Sequence, residues 1–426
     1  MNLPLTIGNP KRGRSTLSGW ADLFPYYAGY PEQFASKVLE SADLRKNARV
    51  YDPWNGSGST TSAAAALGFR ASGVDLNPVM VLVARARLLP ATEWSSLRPL
   101  SRRILQHARS LDEGMDADEL HQWFTDSTAS YIRRIERSIR DHLVDSEEPG
   151  SGASGLSALA STFYVALFSA ARTLSSKFRS SNPTWLRAAK APNELLSYPR
   201  GEVERCFLDA VERARSSCRE GTVSGAASER VKVEVADSTL TRPRKGTVDF
   251  ILTSPPYCTR IDYTSATRME LAVLSPLVVE GRKALSAKML GSVRVPREYP
   301  HQRPDWGKTA IHLLAEIRDH DSHASDTYYL KSYLDYFTKL HMALRQCADA
   351  LRPEGRMVLV VQDSRYKGMH VDLQSITTEM CSSLSLAPSD RRDFSFNRSM
   401  RDVNSRAKAY GSTGQVTESA LVFSKA

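Results

Sequence analysis

Apolar runs that end in small or acidic residues mark the start of a predicted parallel sheet. Residues 49–52 have the pattern of a short buried strand, a glycine-rich loop follows at 56–60, and 61–67 is an alanine-rich helix. A second apolar run at 71–74 leads into Asp75. This succession of strand, loop, helix and strand predicts the first βαβ unit of a parallel sheet.

Strand patterns return in the second half of the chain. The predicted strands there are 231–235, 248–252, 356–362, 390–396 and 419–423. A long amphipathic helix is expected at 328–351, and Pro353-Glu354-Gly355 is expected to form a turn. Strands alternating with helices indicate an α/β fold with a doubly wound, Rossmann-like sheet of about seven strands.

Two insertions divide the predicted sheet. Residues 90–229 have helical patterns, amphipathic at 128–143 and 200–218 and more apolar at 159–178. A structureless stretch of that length is uncommon inside a compact domain, so we expect a helical subdomain. The expected division is a basic arm and first core half at 1–89, a helical insertion at 90–229 that could recognise a target, and a second core half at 230–426. That last part contains a smaller insertion at about 275–327.

Composition and charge narrow the classes of protein. The 426 residues are 41% hydrophobic and 24% charged, which is typical of a globular chain of two or three domains. Lys and Arg number 57 against 47 Asp and Glu, and a net charge of +10 favours a polyanionic partner such as nucleic acid. No run is apolar for the roughly 18 to 20 residues of a membrane span, and the start has no apolar segment of a secretory signal.

The five cysteines lie far apart and contain no Cys-x-x-Cys pair. This spacing argues against a disulfide framework or a structural zinc site, and it favours a reducing compartment, which we expect to be the cytoplasm.

The segment Asp52-Pro53-Trp54-Asn55-Gly56-Ser57-Gly58 follows the first predicted strand. A loop at the carboxyl end of a parallel strand lies where ligands bind, and its glycines let a cofactor approach the backbone. Asp75, after the next strand, could accept hydrogen bonds from both hydroxyls of a ribose. The loop lacks the three glycines of the dinucleotide fingerprint and the Gly-Lys-Ser/Thr of a phosphate-binding loop, so a nucleoside cofactor without a pyrophosphate fits it better.

A second candidate site, Ser254-Pro255-Pro256-Tyr257, directly follows a predicted buried strand. The prolines fix the backbone and could direct the Ser254 hydroxyl and the Pro255 carbonyl at one amino group, while Tyr257 offers a flat face to a base. On its own, such a Pro-Pro pair would indicate only a rigid connection between a strand and the loop that follows it.

Together these motifs resemble those of S-adenosylmethionine-dependent amino-methyltransferases, which methylate exocyclic amines of DNA bases. The first resembles the cofactor loop Asp-Pro-Phe-x-Gly-Ser-Gly-Thr, and the second resembles the catalytic Asp/Asn/Ser-Pro-Pro-Tyr/Phe. The segment 24–30 (FPYYAGY) is similar to an upstream segment that holds the methionine part of the cofactor, and Asp237 matches the position that meets the adenine ring. The resemblance implies that the following residues bind the cofactor: Tyr26, Tyr27, Asp52, Pro53, Asn55, Gly56, Gly58, Asp75 and Asp237.

The resemblance also implies a mechanism, in which Ser254, Pro255, Pro256 and Tyr257 grip a base flipped out of duplex DNA and its amine attacks the sulfonium methyl group directly. A serine in the first position favours cytosine N4 over adenine N6. An RNA base amino-methyltransferase and a catalytically silent nucleic-acid-binding subunit remain alternatives. Methylation at cytosine carbon 5 needs a nucleophilic cysteine, and we interpret Cys258 as a small packing residue instead.

Several other groups are weaker candidates. Arg260, Asp262 and Tyr263 could contact the flipped base or its phosphates, or could cap a helix. The basic residues Lys11, Arg12 and Arg14 could track a phosphate backbone, but their charge favours a disordered tail. The residues Arg133, Arg134, Arg137 and Arg140 could track phosphates or could form a solvated face. The segment 363–366 could touch the substrate, although a turn is favoured. His312, His320, His323, Asp319 and Asp321 fit no common metal site, and none is required. Partner subunits of a restriction or defence system are conceivable from the resemblance.

Overall fold

The computed structural model describes most of the chain. The described residues are 4–11, 20–25, 29–112, 118–144, 152–179, 185–220, 225–258, 262–278, 280–292, 294, 300–321, 324–367, 369–396 and 416–426. Within them no helix is both long and apolar enough to cross a membrane.

A seven-stranded sheet forms the centre of the fold. Its strands are β1 (Arg49–Asp52), β2 (Arg70–Asp75), β3 (Val231–Val235), β4 (Val248–Thr253), β5 (Leu351–Gln362), β8 (Leu386–Phe396) and β9 (Val416–Lys425). Two short strands, β6 (Ser364–Tyr366) and β7 (Met369–Val371), form a separate hairpin. The strand order is β3-β2-β1-β4-β5-β9-β8, in which the first five strands are parallel and β9 is antiparallel to both of its neighbours.

Fifteen α-helices lie in the described part of the chain. They are α1 (Trp20–Leu23), α2 (Glu32–Glu40), α3 (Ser59–Ala66), α4 (Pro78–Ala86), α5 (Leu97–Ser110), α6 (Asp126–Leu143), α7 (Ala158–Leu174), α8 (Arg200–Glu220), α9 (Gly225–Ser228), α10 (Tyr263–Ala266), α11 (Arg268–Val273), α12 (Arg282–Lys288), α13 (Lys308–Arg318), α14 (Leu330–Ala350) and α15 (Leu373–Ser383).

The strands are buried on both faces. In β5, Val358 and Val360 pack with α2 and α3, whereas Met357, Leu359 and Val361 pack with helices α13 to α15. Successive side chains of a strand point to opposite faces, so this division places helices on both sides of the sheet. The predicted α/β, doubly wound, Rossmann-like sheet of about seven strands is therefore confirmed, and its last two strands form an antiparallel pair.

Helices α5 to α8 share one apolar core with α4 and α11. Buried ion pairs join these helices to the rest of the fold. Arg172 on α7 pairs with the fully buried Glu270 on α11, and Arg133 on α6 pairs with Asp118 and donates to the Val273 carbonyl. The described residues between 90 and 229 are thus mainly helical, as expected. Their role in target recognition stays a prediction.

The main difference from the sequence analysis lies at the start of β5. The strand begins at Leu351, not at residue 356, because Leu351 pairs with Val248 and Arg356 pairs with Phe250. The intervening residues bulge out of the ladder, with Glu354 at a φ of 62°. The predicted turn at 353–355 is this bulge inside a continuous strand.

Candidate active site

One cavity opens at the carboxyl edge of the sheet. The carboxyl ends of β1, β2, β3 and β4 supply most of its wall. The cofactor-loop and strand-end residues that line it are Asp52, Pro53, Trp54, Asn55, Gly56, Ser57, Ser59, Asp75, Leu76, Asn77, Met80, Ala236, Asp237, Ser238 and Thr239. All four residues of the Ser254-Pro255-Pro256-Tyr257 segment line the same cavity. The two predicted motifs, about 200 residues apart in sequence, therefore lie in one site.

Asp75 is tied to the glycine-rich loop. Its Oδ2 accepts a hydrogen bond from the Gly56 N–H at 3.0 Å, and its Oδ1 accepts one from the Asn77 N–H at 2.8 Å. Burial nevertheless raises the pKa of Asp75 to about 6. Each carboxylate oxygen has a further lone pair, so the carboxylate can still accept hydrogen bonds from a ligand in the cavity.

Asp52 connects the two motifs. The Thr253 hydroxyl donates to its Oδ1 at 2.5 Å, and the Trp54 N–H donates to the same oxygen at 3.1 Å. Thr253 immediately precedes Ser254, so this hydrogen bond links the end of β1 to the end of β4. Burial raises the pKa of Asp52 to about 6, although these hydrogen bonds act in the opposite direction.

Two glycines allow the cofactor loop to lie against the strands and helices beneath it. Gly58 has a φ of 83°, and a Cβ there would lie 2.8 Å from the Cβ of Ala84 on α4. A Cβ on Gly73 of β2 would lie 2.5 Å from the Asn55 side chain. Any larger residue at either position would displace the loop. Gly58 itself does not line the cavity, so its predicted role in cofactor binding would act through the loop's conformation.

The upstream segment enters the site through Tyr30. Its hydroxyl shares a 2.6 Å hydrogen bond with Thr60 Oγ1, and its carbonyl accepts from Ser59 Oγ at 3.0 Å. Tyr30 and Gly29 both line the cavity. Tyr26 and Tyr27, the two residues of this segment predicted to bind the cofactor, lie outside the described residues.

Ser254 lines the cavity and is hydrogen-bonded to the neighbouring strand. Its hydroxyl donates to the Val360 carbonyl on β5 at 2.9 Å, which leaves the lone pairs of Oγ for another donor. The Pro256 carbonyl is occupied, since the Tyr336 hydroxyl donates to it at 2.9 Å. Among the described residues, no donor is hydrogen-bonded to the Pro255 carbonyl. Ser254 and Pro255 both line the cavity, and each has an oxygen that can accept a hydrogen bond.

Tyr257 is held at its backbone and at its ring. Its N–H donates to the Tyr263 hydroxyl at 3.1 Å, and its own hydroxyl donates to Glu418 Oε1 at 2.7 Å. Burial, with the Glu418 carboxylate close by, raises the pKa of Tyr257 well above its ordinary value. Burial also raises the pKa of Glu418, while the Tyr257 hydrogen bond and the Lys11 charge act in the opposite direction.

The predicted substrate residues have different positions. Tyr263 lines the cavity and supports Tyr257, and burial raises its pKa to about 12. Asp262 lies behind the cavity wall, where it caps α10 by accepting from the Thr264 N–H and forms an ion pair with Arg282. This geometry favours the capping alternative for Asp262. Arg260 lies outside the described residues.

Most of the α6 arginines are committed to contacts within the protein. Arg133 makes the contacts given above, Arg134 is 8% exposed and donates to the Leu111 carbonyl, and Arg140 pairs with the buried Glu136. Arg137 pairs with Asp141 at the surface. Because Arg134 is buried, neither the predicted phosphate track nor the predicted solvated face holds for it. The guanidinium of the partly buried Arg133 is occupied by hydrogen bonds within the protein.

The remaining candidates among the described residues do not line the cavity. Cys258 is buried, and residues 364–366 form β6 and not a simple turn. His312 pairs with Glu316 and His320 contacts the Tyr366 ring, while His323, Arg12 and Arg14 are among the residues that the structure does not describe. No group of three or more His, Cys, Asp or Glu in the described ranges could hold a metal ion.

The structure adds lining residues that sequence reasoning missed. Lys288, Met289 and Leu290 come from the smaller insertion, and Lys339 comes from α14. Lys339 is held by Asp335 and by the Ala287 carbonyl, both at 2.9 Å. No local motif marks these positions, because they reach the cavity only through tertiary packing.

The chain resembles known methyltransferases. It is 22% identical over 405 residues to the type II methyltransferase M.BsoBI of Geobacillus stearothermophilus, covering 85% of this chain and 78% of that protein. No protein-family model matches. Among solved structures, a TehB-like SAM-dependent methyltransferase from Corynebacterium glutamicum is 9% identical with a TM-score of 0.28, covering 92% of this chain and 87% of the other. A putative DNA modification methylase from Thermus thermophilus is 19% identical with a TM-score of 0.18, covering 27% of this chain and 50% of the other.

The comparisons and the fold agree at a coarse level. Over most of its length the chain is similar in sequence to a type II methyltransferase, and it carries the Rossmann-like sheet with both predicted motifs at one cavity.

Proposed function

We propose that the protein is a DNA amino-methyltransferase, which transfers a methyl group from S-adenosylmethionine to an exocyclic amine of a flipped base. The observation that carries this proposal is the shared cavity of the glycine-rich loop and the Ser254-Pro255-Pro256-Tyr257 segment. The similarity to a type II methyltransferase supports the reaction class. The net charge of +10 supports a nucleic-acid substrate.

S-adenosylmethionine would be held in the part of the cavity formed by the ends of β1, β2 and β3. There the Asp75 carboxylate would accept hydrogen bonds from the ribose hydroxyls, and the apolar surfaces of Leu76, Met80 and Ala236 would contact the adenine ring. Asp237, whose Oδ1 already accepts from the Thr239 N–H, lies at the same end. The Gly56 turn would hold the methionine portion, and the bound cofactor would supply the methyl group for transfer.

The chemistry needs an amine whose lone pair is released from conjugation with the ring. Ser254 Oγ and the Pro255 carbonyl accept the two amine hydrogens, and Tyr257 stacks on the base. The nitrogen then attacks the methyl carbon, the carbon–sulfur bond breaks, and its electron pair stays on sulfur to give S-adenosylhomocysteine. The extra proton on nitrogen is released to water. Positioning supplies most of the rate enhancement, since no covalent enzyme intermediate forms.

Cytosine N4 is the favoured target and adenine N6 the second choice, because the tetrapeptide begins with serine. Both amines present the same two hydrogens to Ser254 and Pro255. The preference therefore rests on the resemblance of the motif.

A methyl-transfer assay with labelled S-adenosylmethionine tests the proposal on unmodified plasmid DNA, with RNA as the parallel substrate. We expect label in DNA and little in RNA. The double variant Ser254→Ala/Tyr257→Ala should lose turnover and keep its cofactor affinity, because neither residue belongs to the ribose or adenine part of the cavity. Turnover retained by that variant would refute the catalytic assignment.

The two alternatives give different results in the same assay. An RNA methyltransferase would label RNA in preference to DNA. A silent subunit would bind DNA without binding S-adenosylmethionine, which isothermal titration detects directly.

A further inference from the structure

We infer that Glu418 is a positioning residue of the transfer site, which fixes the Tyr257 ring at the angle required to stack on the target base. This inference rests on the proposed function. Glu418 lies on β9, 161 residues from Tyr257 in sequence, and it does not line the cavity. It therefore acts through Tyr257, without touching substrate or cofactor.

The contacts of Tyr257 leave its ring little freedom. The backbone end is fixed by the Tyr263 hydroxyl at 3.1 Å, and the far end of the ring is fixed by Glu418 at 2.7 Å. Gly291 lies against the same segment, since a Cβ there would be 2.9 Å from the Tyr257 carbonyl. Rotation about the Cα–Cβ bond would break the Glu418 hydrogen bond, so the carboxylate selects one rotamer.

Glu418 is itself held rigidly. It is 8% exposed, and its strand lies between β5 and β8, where Glu418 pairs with Gln362 on one side and Phe394 on the other. The adjacent Thr417 is fixed by the Asp363 carboxylate, which accepts from the Thr417 N–H at 2.8 Å. Because β9 is hydrogen-bonded to a strand on each side, the Glu418 carboxylate has little freedom to move and can hold the Tyr257 ring in one orientation.

These contacts hold Ser254 and Tyr257 at a fixed separation. Ser254 is fixed through Val360 on β5, and Tyr257 is fixed through Glu418 on the neighbouring β9. The serine that accepts from the amine and the ring that stacks on the base are thus each held by one of two adjacent strands of the sheet. A base placed between them is aligned without any rearrangement of the protein, and a misplacement of about 1 Å can cost roughly a hundredfold in rate.

Four variants test this inference by steady-state kinetics: E418A, E418Q, Y257F and the double variant Y257F/E418A. We expect E418A to lower kcat roughly 10- to 100-fold with unchanged cofactor affinity. E418Q keeps an acceptor oxygen and should stay within about threefold of the wild type, because a neutral hydrogen bond is about half as strong as a charge-assisted one. Y257F removes the hydroxyl and should resemble E418A, with no further loss in the double variant.

The control variant is E379A. Glu379 accepts hydrogen bonds from the Thr309 N–H and hydroxyl on a distant helix, so its loss should lower stability and leave kcat unchanged. Wild-type kcat in Y257F, or additive losses in the double variant, would overturn the inference. Because Y257F keeps the ring and its packing, it decides the question even if E418A fails to fold.

A measurement without substrate separates this inference from the proposed function. The shift in the urea midpoint caused by E418A should largely disappear in the Y257F background, since the two groups are hydrogen-bond partners. Equal shifts in both backgrounds would refute the pairing. A wild-type protein that transfers no methyl group would refute the proposed function, while the urea measurements would still decide whether Glu418 holds Tyr257.

Discussion

Individual side chains of the cavity combine burial with unused hydrogen-bonding capacity. Asp52 and Asp75 are carboxylates in a poorly hydrated site, and both keep their charged form with the help of backbone N–H groups. Ser254 is turned so that its lone pairs are available. Such groups are costly to bury, and a ligand that hydrogen-bonds with them offsets that cost.

Asp75→Ala should weaken S-adenosylmethionine binding by one to two orders of magnitude, roughly 1.4 to 2.8 kcal/mol, because the ribose hydroxyls lose a charged acceptor. Isothermal titration measures this. Glu234→Ala on the neighbouring strand is the control, since Glu234 pairs with Lys232 at the surface. Unchanged affinity in the Asp75 variant would remove the ribose assignment.

Cofactor affinity should also depend on pH. Burial raises the pKa of Asp75 to about 6, so the carboxylate is charged above that pH and protonated below it. The protonated group accepts fewer hydrogen bonds, and Kd should therefore rise as the pH falls through 6 and stay constant above about 7. A Kd that stays flat between pH 5 and 8 would contradict this expectation. The Asp75→Asn variant should lose the part of the dependence that Asp75 contributes, and any remainder is expected from Asp52, whose pKa burial also raises to about 6.

At the scale of elements, the cofactor loop is shaped by the contact between α3 and α4. Gly58→Ala should destabilise the protein by about 2–4 kcal/mol. This loss combines the cost of a left-handed backbone conformation in alanine with the clash between the added Cβ and Ala84. Gly246→Ala is the matched control, because Gly246 has a φ of 67° and no atom within 4 Å of an added Cβ. It should cost only about 1–2 kcal/mol. Equal losses in urea denaturation would show that the Ala84 contact has no effect.

The elements of the sheet were predictable where the chain signals them locally. The run around Gly56 and the apolar strand before Ser254 each combine a strand with the loop that follows it. Because the carboxyl ends of parallel strands share one edge, the convergence of the two motifs followed from the sequence. The start of β5 was not predictable in this way, since the bulge at 352–355 depends on pairing with Val248 about 100 residues earlier.

At the scale of the whole molecule, long-range contacts complete the site. Glu418 reaches Tyr257 across 161 residues, and Lys339 reaches the cavity from a helix that follows the second insertion. A buried glutamate in a strand and a lysine in an amphipathic helix carry no sequence signal of their own. Such residues become identifiable only when the strand order places β9 beside β5.

The packing of helix α7 against α11 should depend on the buried ion pair between Arg172 and Glu270. Glu270→Ala leaves the Arg172 charge without its carboxylate in a largely dry environment, and the expected loss of stability is about 3–5 kcal/mol. Urea denaturation measures it. Removing the exposed pair partner by Glu212→Ala should cost less than about 1 kcal/mol. A comparable loss in the two variants would contradict the structural role of the buried pair.

The measurement that tests the account most directly is mass spectrometry of nucleosides from plasmid DNA after expression of the protein in cells free of other base methylation. The account predicts N4-methyldeoxycytidine, or N6-methyldeoxyadenosine as the second choice, and neither with the Ser254→Ala/Tyr257→Ala variant. DNA without either methylated amine, or with the methyl group on carbon 5 of cytosine, would contradict it.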